Sequence, residues 1–258
     1  MVIAAKRWFC LMSIIGCLLV SEIAWGSESR ETGDEVKPGQ QVENSLEIME
    51  GDESITIRYW LFVPEQYDAS KPMPLMLFMH GAGERGDDLK KVKQWGPPKL
   101  VEKRKDFPFI LISPQCPAEQ WWRADLMVSL VEHVAAELAV DHSRIYVTGL
   151  SMGGFGTWSL LSAKPELFAA AAPICGGGDP KKVERFKNIP IWVFHGDADE
   201  VVPVERSRDM VDALKAVDAP VKYTEYEGVG HNSWSKTYAN EDLYKWLLEH
   251  QRDESKGE

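Results

Sequence analysis

Five short apolar runs, at residues 75–79, 109–112, 145–148, 169–174 and 191–194, are separated by stretches long enough to hold helices. Apolar runs of this length fill parallel strands that are buried on both faces. Between them, Leu126, Leu130, Val134 and Leu138 recur on one helical stripe, and Trp158, Leu160 and Leu161 ride a helix that opens just after residue 151. Residues 204–217 and 242–249 read as the last two helices, with a strand at 221–226 between them. Strands alternating with helices in this way predict an α/β fold, a doubly wound and mostly parallel sheet with helices on both faces. Ahead of it, Ile55, Ile57, Tyr59, Leu61 and Val63 alternate with their neighbours as in an early antiparallel strand, which Pro64 closes.

A chain of 258 residues with 44% hydrophobic content supports one sizeable core, so a single domain is expected, at 44–250. No internal repeat and no insertion long enough for a large lid domain interrupts it. Lys6 and Arg7 precede an apolar run at 8–20, and Ala24-Trp25-Gly26 places small residues where a signal peptidase reads. Residues 1–26 are therefore expected to be a signal peptide cleaved after Gly26, which sends the protein to the periplasm or outside the cell. The run is shorter than the roughly 20 residues that span a bilayer, so no stable membrane span is expected. Ile14-Ile15-Gly16-Cys17 offers the alternative of a lipid anchor on Cys17, but the apolar Leu18-Leu19-Val20 after it is unlike the polar start of a mature lipoprotein. Residues 27–43 read as a polar linker and 251–258 as a disordered tail.

The formal net charge of -11 argues against nucleic acid as a partner and leaves no basic patch for anionic lipid. The lysines and arginines at 90–105 are interleaved with Asp87, Asp88, Glu102 and Asp106, the pattern of a solvated face. Without the leader only Cys116 and Cys175 remain, too few to define a disulfide scaffold, and they are expected to be unpaired.

The chemistry centres on 145–156, where a β-branched strand runs into Gly149-Leu150-Ser151-Met152-Gly153 and a helix-forming segment follows. A serine nucleophile on a sharp strand-to-helix turn needs glycine two residues to either side, and the helix N-terminus behind it offers amides to a developing oxyanion. A serine hydroxyl is a poor nucleophile until a base takes its proton, so a histidine and an orienting carboxylate must lie elsewhere. His231 follows the last strand, where such a base belongs, and Asp197, Asp199 and Glu200 share the loop after the strand at 191–194; spacing alone does not choose among the three. His80 and His195 each end a strand before a glycine and read as packing or loop-orienting residues. The amide of Met152 is the first oxyanion donor, and Ala82, with Gly83 as the alternative, supplies the second from the glycine-rich loop at 80–86. Trp121, Trp122 and Trp234 follow strand ends and are candidate substrate contacts.

With HGAGERG at 80–86, GLSMGG at 149–154, PICGGG at 173–178, HGDADEVVP at 195–203 and GHNSW at 230–234, the chain resembles the α/β-hydrolase superfamily. Within it, the likeness is to the phospholipase/carboxylesterase/thioesterase group and the dienelactone-hydrolase-like "predicted peptidase" esterases. The resemblance implies an α/β-hydrolase fold, a serine esterase working without metal or cofactor, and Asp199 as the acid that serves His231. It also supports Ala82 as an oxyanion donor. A small-molecule or carbohydrate-linked ester is the substrate class expected; the competing readings are a serine peptidase with the same triad and a non-catalytic carbohydrate-binding relative.

Overall fold

The computed structural model describes residues 36–252, so the expected signal peptide, most of the linker and the last six residues of the tail lie outside the described residues. Strands β1 (Gln40–Glu50) and β2 (Glu53–Val63) form an antiparallel hairpin whose tight turn carries its positive φ, 65°, at Gly51. Strand β1 was not anticipated, and it starts inside the stretch read as linker. The reason lies in its one-sided pattern: Leu46 and Ile48 pair with Ile57 and Ile55 and pack on the core, while the intervening Glu43, Ser45 and Glu47 leave the segment polar on average.

The remaining strands are β3 (Met73–Met79), β4 (Ile110–Pro114), β5 (Val140–Leu150), β6 (Ala170–Ile174), β7 (Ile191–Gly196) and β8 (Val221–Tyr226). The described residues form one eight-stranded sheet in the order β1-β2-β4-β3-β5-β6-β7-β8, with β2 antiparallel to β4 and every pairing from β4 to β8 parallel. Strand β5 is longer than its apolar run, and its first residue pairs with Met73 ahead of a register shift.

Alternate residues of the buried strands feed two separate layers. Leu75, Leu77, Met79, Val147, Ile191 and Val193 face helices α2 (Ala124–Glu137), α3 (Met152–Ala163) and α4 (Glu205–Ala216), meeting Leu130, Leu160 and Leu214. Met76, Phe78, Tyr146, Trp192 and Phe194 face the other way, toward α5 (Trp234–Tyr238) and α6 (Glu241–Leu248), where Tyr238, Tyr244 and Leu247 cover them. A sheet covered on both sides is the physical reason that its strands carry continuous apolar runs and not alternating ones. The short helix α1 (Gly96–Leu100) opens on Gly96, whose α-carbon lies so close to Phe78 that a Cβ would sit 2.5 Å from the ring.

In the second layer Phe109 is fully buried and meets Tyr146 edge-to-face at 5.7 Å and Phe107 at 5.2 Å. Truncating it removes both the ring's transfer free energy and its contacts. Phe109→Ala is expected to lower stability by about 3–5 kcal/mol, read as an earlier urea midpoint at unchanged slope; an unchanged midpoint would contradict this packing.

Candidate active site

Ser151 sits between β5 and α3 with φ 52° and ψ -115°, a backbone conformation costly for any residue with a side chain. Its neighbours hold it there. A Cβ on Gly153 would lie 2.0 Å from the Met79 carbonyl oxygen, and one on Gly149 would lie 2.3 Å from the carbonyl oxygen of Gly153, so both flanking positions admit only glycine. The Ser151 amide donates to the Ile174 carbonyl at 2.9 Å, which ties the turn to β6.

The hydroxyl of Ser151 donates to His231 Nε2 at 2.9 Å, and His231 Nδ1 donates to Asp199 Oδ2 at 2.7 Å. The three side chains come from loops after β5, β8 and β7, all at the C-terminal edge of the sheet, where α/β folds place their sites. Asp199 Oδ1 accepts the Val201 and Val202 amides, each at 2.9 Å. Burial alone would raise the Asp199 carboxyl, but the His231 hydrogen bond and these two amides outweigh it and hold it below its ordinary range.

The geometry also separates the three acids of that loop. Asp197 Oδ1 accepts the Gly228 amide at 2.7 Å and so braces the histidine loop, and Glu200 is exposed. A Cβ on Gly196 would lie 2.1 Å from the Val229 carbonyl oxygen, and the Ala198 amide donates to that same oxygen. The acid loop and the histidine loop are therefore clasped along their backbones, and only Asp199 is turned inward between them.

Both strand-end histidines are buried. The Cys116 amide donates to His80 Nε2 at 3.0 Å, so the ring's proton is on Nδ1 and donates to the Gly81 carbonyl at 2.6 Å. Trp122 donates from Nε1 to the His80 carbonyl at 3.1 Å and meets the ring edge-on. His80 thus fixes the start of the loop that carries Ala82 and Gly83. A Cβ on Gly81 would be 3.6 Å from Ser151 Cβ, which puts this loop beside the serine. Ala82 and Met152 each begin a helical turn, where an amide has no acceptor of its own helix.

Of the tryptophans, Trp121 is 62% exposed and packs edge-on against Phe155, one turn beyond Ser151. Trp234 is half-buried, perpendicular to His231 at 5.2 Å, and meets Trp95 at 6.1 Å. Trp122 differs from its expected place: it is turned inward, 8% exposed, against Gly156, because consecutive residues of an extended segment point to opposite sides. Phe155 and Trp95 were absent from the expected contacts. Phe155 carried a signal in its position four residues after the serine on a helix, and Trp95 carried none, since only the fold brings it to Trp234.

Cys116 and Cys175 are both free and buried. Cys175 Sγ, Asp199 and His231 present ligand atoms within 4.8 Å of one another. Burial pushes the Cys175 thiol up to about 12, so it is protonated at neutral pH, and the other two groups already bind each other. The arrangement is suited to passing a proton. A cleft of about 700 Å³ lined by Phe168, Ile189, Pro190, Pro220 and Arg252 lies at the opposite end of the strands and shares no residue with this constellation.

An eight-stranded sheet of this order, with a serine on the β5–α3 turn and a histidine and an aspartate from later loops, defines an α/β-hydrolase fold. The chain is similar to the α/β hydrolases, and the dienelactone hydrolase family matches residues 119–244, just under half of it. A probable feruloyl esterase C of Aspergillus terreus is 28% identical over 159 residues, 60% of this chain and 59% of the relative. A solved thermostable esterase superposes with a TM-score of 0.71 at 38% identity, over 81% of this chain and 63% of its own. The feruloyl esterase module from Clostridium thermocellum, solved with sinapinate, shares the fold with a TM-score of 0.57 at 15% identity, over 83% of this chain and 89% of its own. The chain thus spans about three-fifths of the length of the first two of these proteins.

Burial lowers His80 from 6.5 to about 4, so it is neutral in the fold at pH values where the unfolded chain protonates it. As pH falls from 6.5 toward 4, the unfolded state takes up a proton that the native state refuses, and stability drops by up to about 1.4 kcal/mol per pH unit. Urea midpoints at about pH 7 and pH 5 should separate more for the wild type than for His80→Gln. Equal separations would remove His80 as the cause.

Proposed function

We propose that the protein hydrolyses carboxylic esters through an acyl-enzyme, with Ser151 as nucleophile, His231 as base and Asp199 as the acid that orients it. The observation that carries this reading is the hydrogen-bonded chain from Ser151 Oγ through His231 to Asp199, set at a strained turn. Ser151 Oγ attacks the ester carbonyl carbon while His231 Nε2 takes its proton, and the Met152 and Ala82 amides receive the oxyanion. Collapse of the tetrahedral adduct breaks the bond to the alcohol, which leaves with the proton from His231. Water, deprotonated by the same nitrogen, then releases the acid and regenerates Ser151.

Acyl groups borne by carbohydrates are the substrate class in view. Aromatic pairs flank the serine, Trp121 with Phe155 and Trp234 with Trp95, and suit an aromatic acyl group or a sugar ring. The feruloyl esterases among the relatives support that choice. Residues 1–26 fit an export signal, with cleavage after Gly26 delivering the enzyme to the periplasm or beyond, and no helix among the described residues is long and apolar enough to cross a membrane. Mass spectrometry of the mature N-terminus tests the export reading: a start at Ser27 supports it, and a lipidated Cys17 replaces it with anchoring.

Ser151→Ala is expected to abolish turnover of short p-nitrophenyl esters, and labelling by a fluorophosphonate, in a protein whose circular dichroism is unchanged. Turnover retained in that variant would refute the assignment. Asp199→Asn should keep the fold and lower kcat by about 10³–10⁴-fold, since His231 would then be held in the wrong tautomer. A panel of matched esters and amides distinguishes an esterase, which leaves the amides largely uncut, from a peptidase.

A further inference from the structure

Asp199 has a second imidazole on its buried side. His195, at the end of β7, is fully buried, and its Nε2 lies 3.1 Å from Asp199 Oδ2 and 2.9 Å from the Val202 carbonyl oxygen. Both of those atoms only accept, so Nε2 carries a proton and donates to them. Nδ1 lies 2.7 Å from the Ser207 hydroxyl, which also reaches the Gly176 carbonyl at 3.0 Å. Burial disfavours charge on the ring, so Nδ1 accepts, and the one hydroxyl hydrogen of Ser207 is shared between Nδ1 and the Gly176 carbonyl.

Asp199 Oδ2 therefore accepts from two imidazoles at once, His231 on the open side and His195 beneath, while Oδ1 takes two backbone amides. Four donors converge on one carboxylate. A hydrogen bond from a buried neutral donor draws charge from the oxygen that receives it and competes with any other donor there. The same proton, shared with the Val202 carbonyl, pins the turn whose amides hold Oδ1.

We infer that His195 is a positioning residue of the relay: by donating to Asp199 Oδ2 from below, it fixes the carboxylate and limits how strongly that oxygen holds a proton on His231. This rests on the hydrolytic reading above only for its kinetic consequence. The titratable and charged groups around His195 are Asp199 from its own loop, His231 beyond it, and Glu225 opposite it in the β7–β8 pair, which Arg208 of α4 holds; Cys175 adjoins Asp199 and His231. Glu225 is held down to about 2 by Arg208 and Tyr223, and the Cys175 thiol stands at about 12, so neither changes charge between about pH 5 and pH 9.

The test is the rate at which a fluorophosphonate labels Ser151 in the full chain across that pH range, for the wild type, His195→Asn and His195→Gln. The amide of His195→Asn falls near Nδ1 and reaches Ser207 without reaching Asp199; that of His195→Gln falls near Nε2 and replaces the lost donor. Without the donor, Oδ2 holds the proton on His231 more strongly, so the acid limb for His195→Asn should move up by about 0.5 to 1 pH unit, with a slower plateau. In His195→Gln the limb should return to within about 0.2 unit of the wild type. A wild-type limb in His195→Asn, with the loss confined to the fraction of active molecules, would overturn the inference and leave His195 as packing. A wild type that is not labelled at any pH would overturn the hydrolytic reading instead. In that event the downfield His231 Nδ1 proton signal decides: displaced in His195→Asn and restored in His195→Gln it upholds the inference, and unmoved in both it overturns it.

Discussion

The α-carbon of Gly153 lies against the carbonyls of Met79 and His80, close enough that a single methyl group would meet the first at 2.0 Å. That contact joins the first turn of α3 to the end of β3, and most of the site hangs from it. It keeps Ser151 at a positive φ, brings the loop after β3 beside the serine, and leaves the Met152 amide at the head of α3 without a helical acceptor. The strain at Ser151 persists because the surrounding backbone leaves no alternative: β6 takes the serine amide, β3 blocks the helix from shifting, and Gly149 abuts Gly153 from the other side.

Around this turn polar side chains at the strand ends tie neighbouring segments together. His80 ties Cys116 to Gly81, Asp197 ties the acid loop to Gly228, and His195 ties Val202 to Ser207. Each lies at or just past a strand end, has at least one main-chain partner within reach, and supplies contacts that the sheet can no longer offer beyond its C-terminal edge. The result is a set of loops with defined positions, and Asp199, the carboxylate of its loop that is turned inward, meets His231.

Much of this was legible along the chain because parallel strands covered on both faces write themselves as apolar runs. Strands β3 to β8 and helices α2, α3, α4 and α6 fell where those runs and stripes lay, although β5 begins earlier than its run and α1 had no stripe to announce it. Strand β1 did not, since an edge strand packs only one face and its exposed face dilutes the pattern. The serine, histidine and aspartate were legible from motifs in a fixed order, although the residues of the acid loop left Asp197, Asp199 and Glu200 equivalent until the likeness to known hydrolases favoured Asp199. Trp122 stands among the candidate substrate contacts beside Trp121 because a pair of adjacent tryptophans gives no sign of which one turns inward.

The sequence by itself determined the sheet's parallel character, the sharp glycine-flanked turn at Ser151 and the loops that carry the candidate histidine and acids, since these follow from local pattern and from steric demands within a few residues. Only the tertiary structure decided which carboxylate reaches His231, that His195 lies beneath it on the same oxygen, and that Trp95 stands beside Trp234. Those pairings join residues far apart in the chain, and their partners are set by how loops clasp one another at the end of the sheet, a distance that no spacing along the sequence encodes.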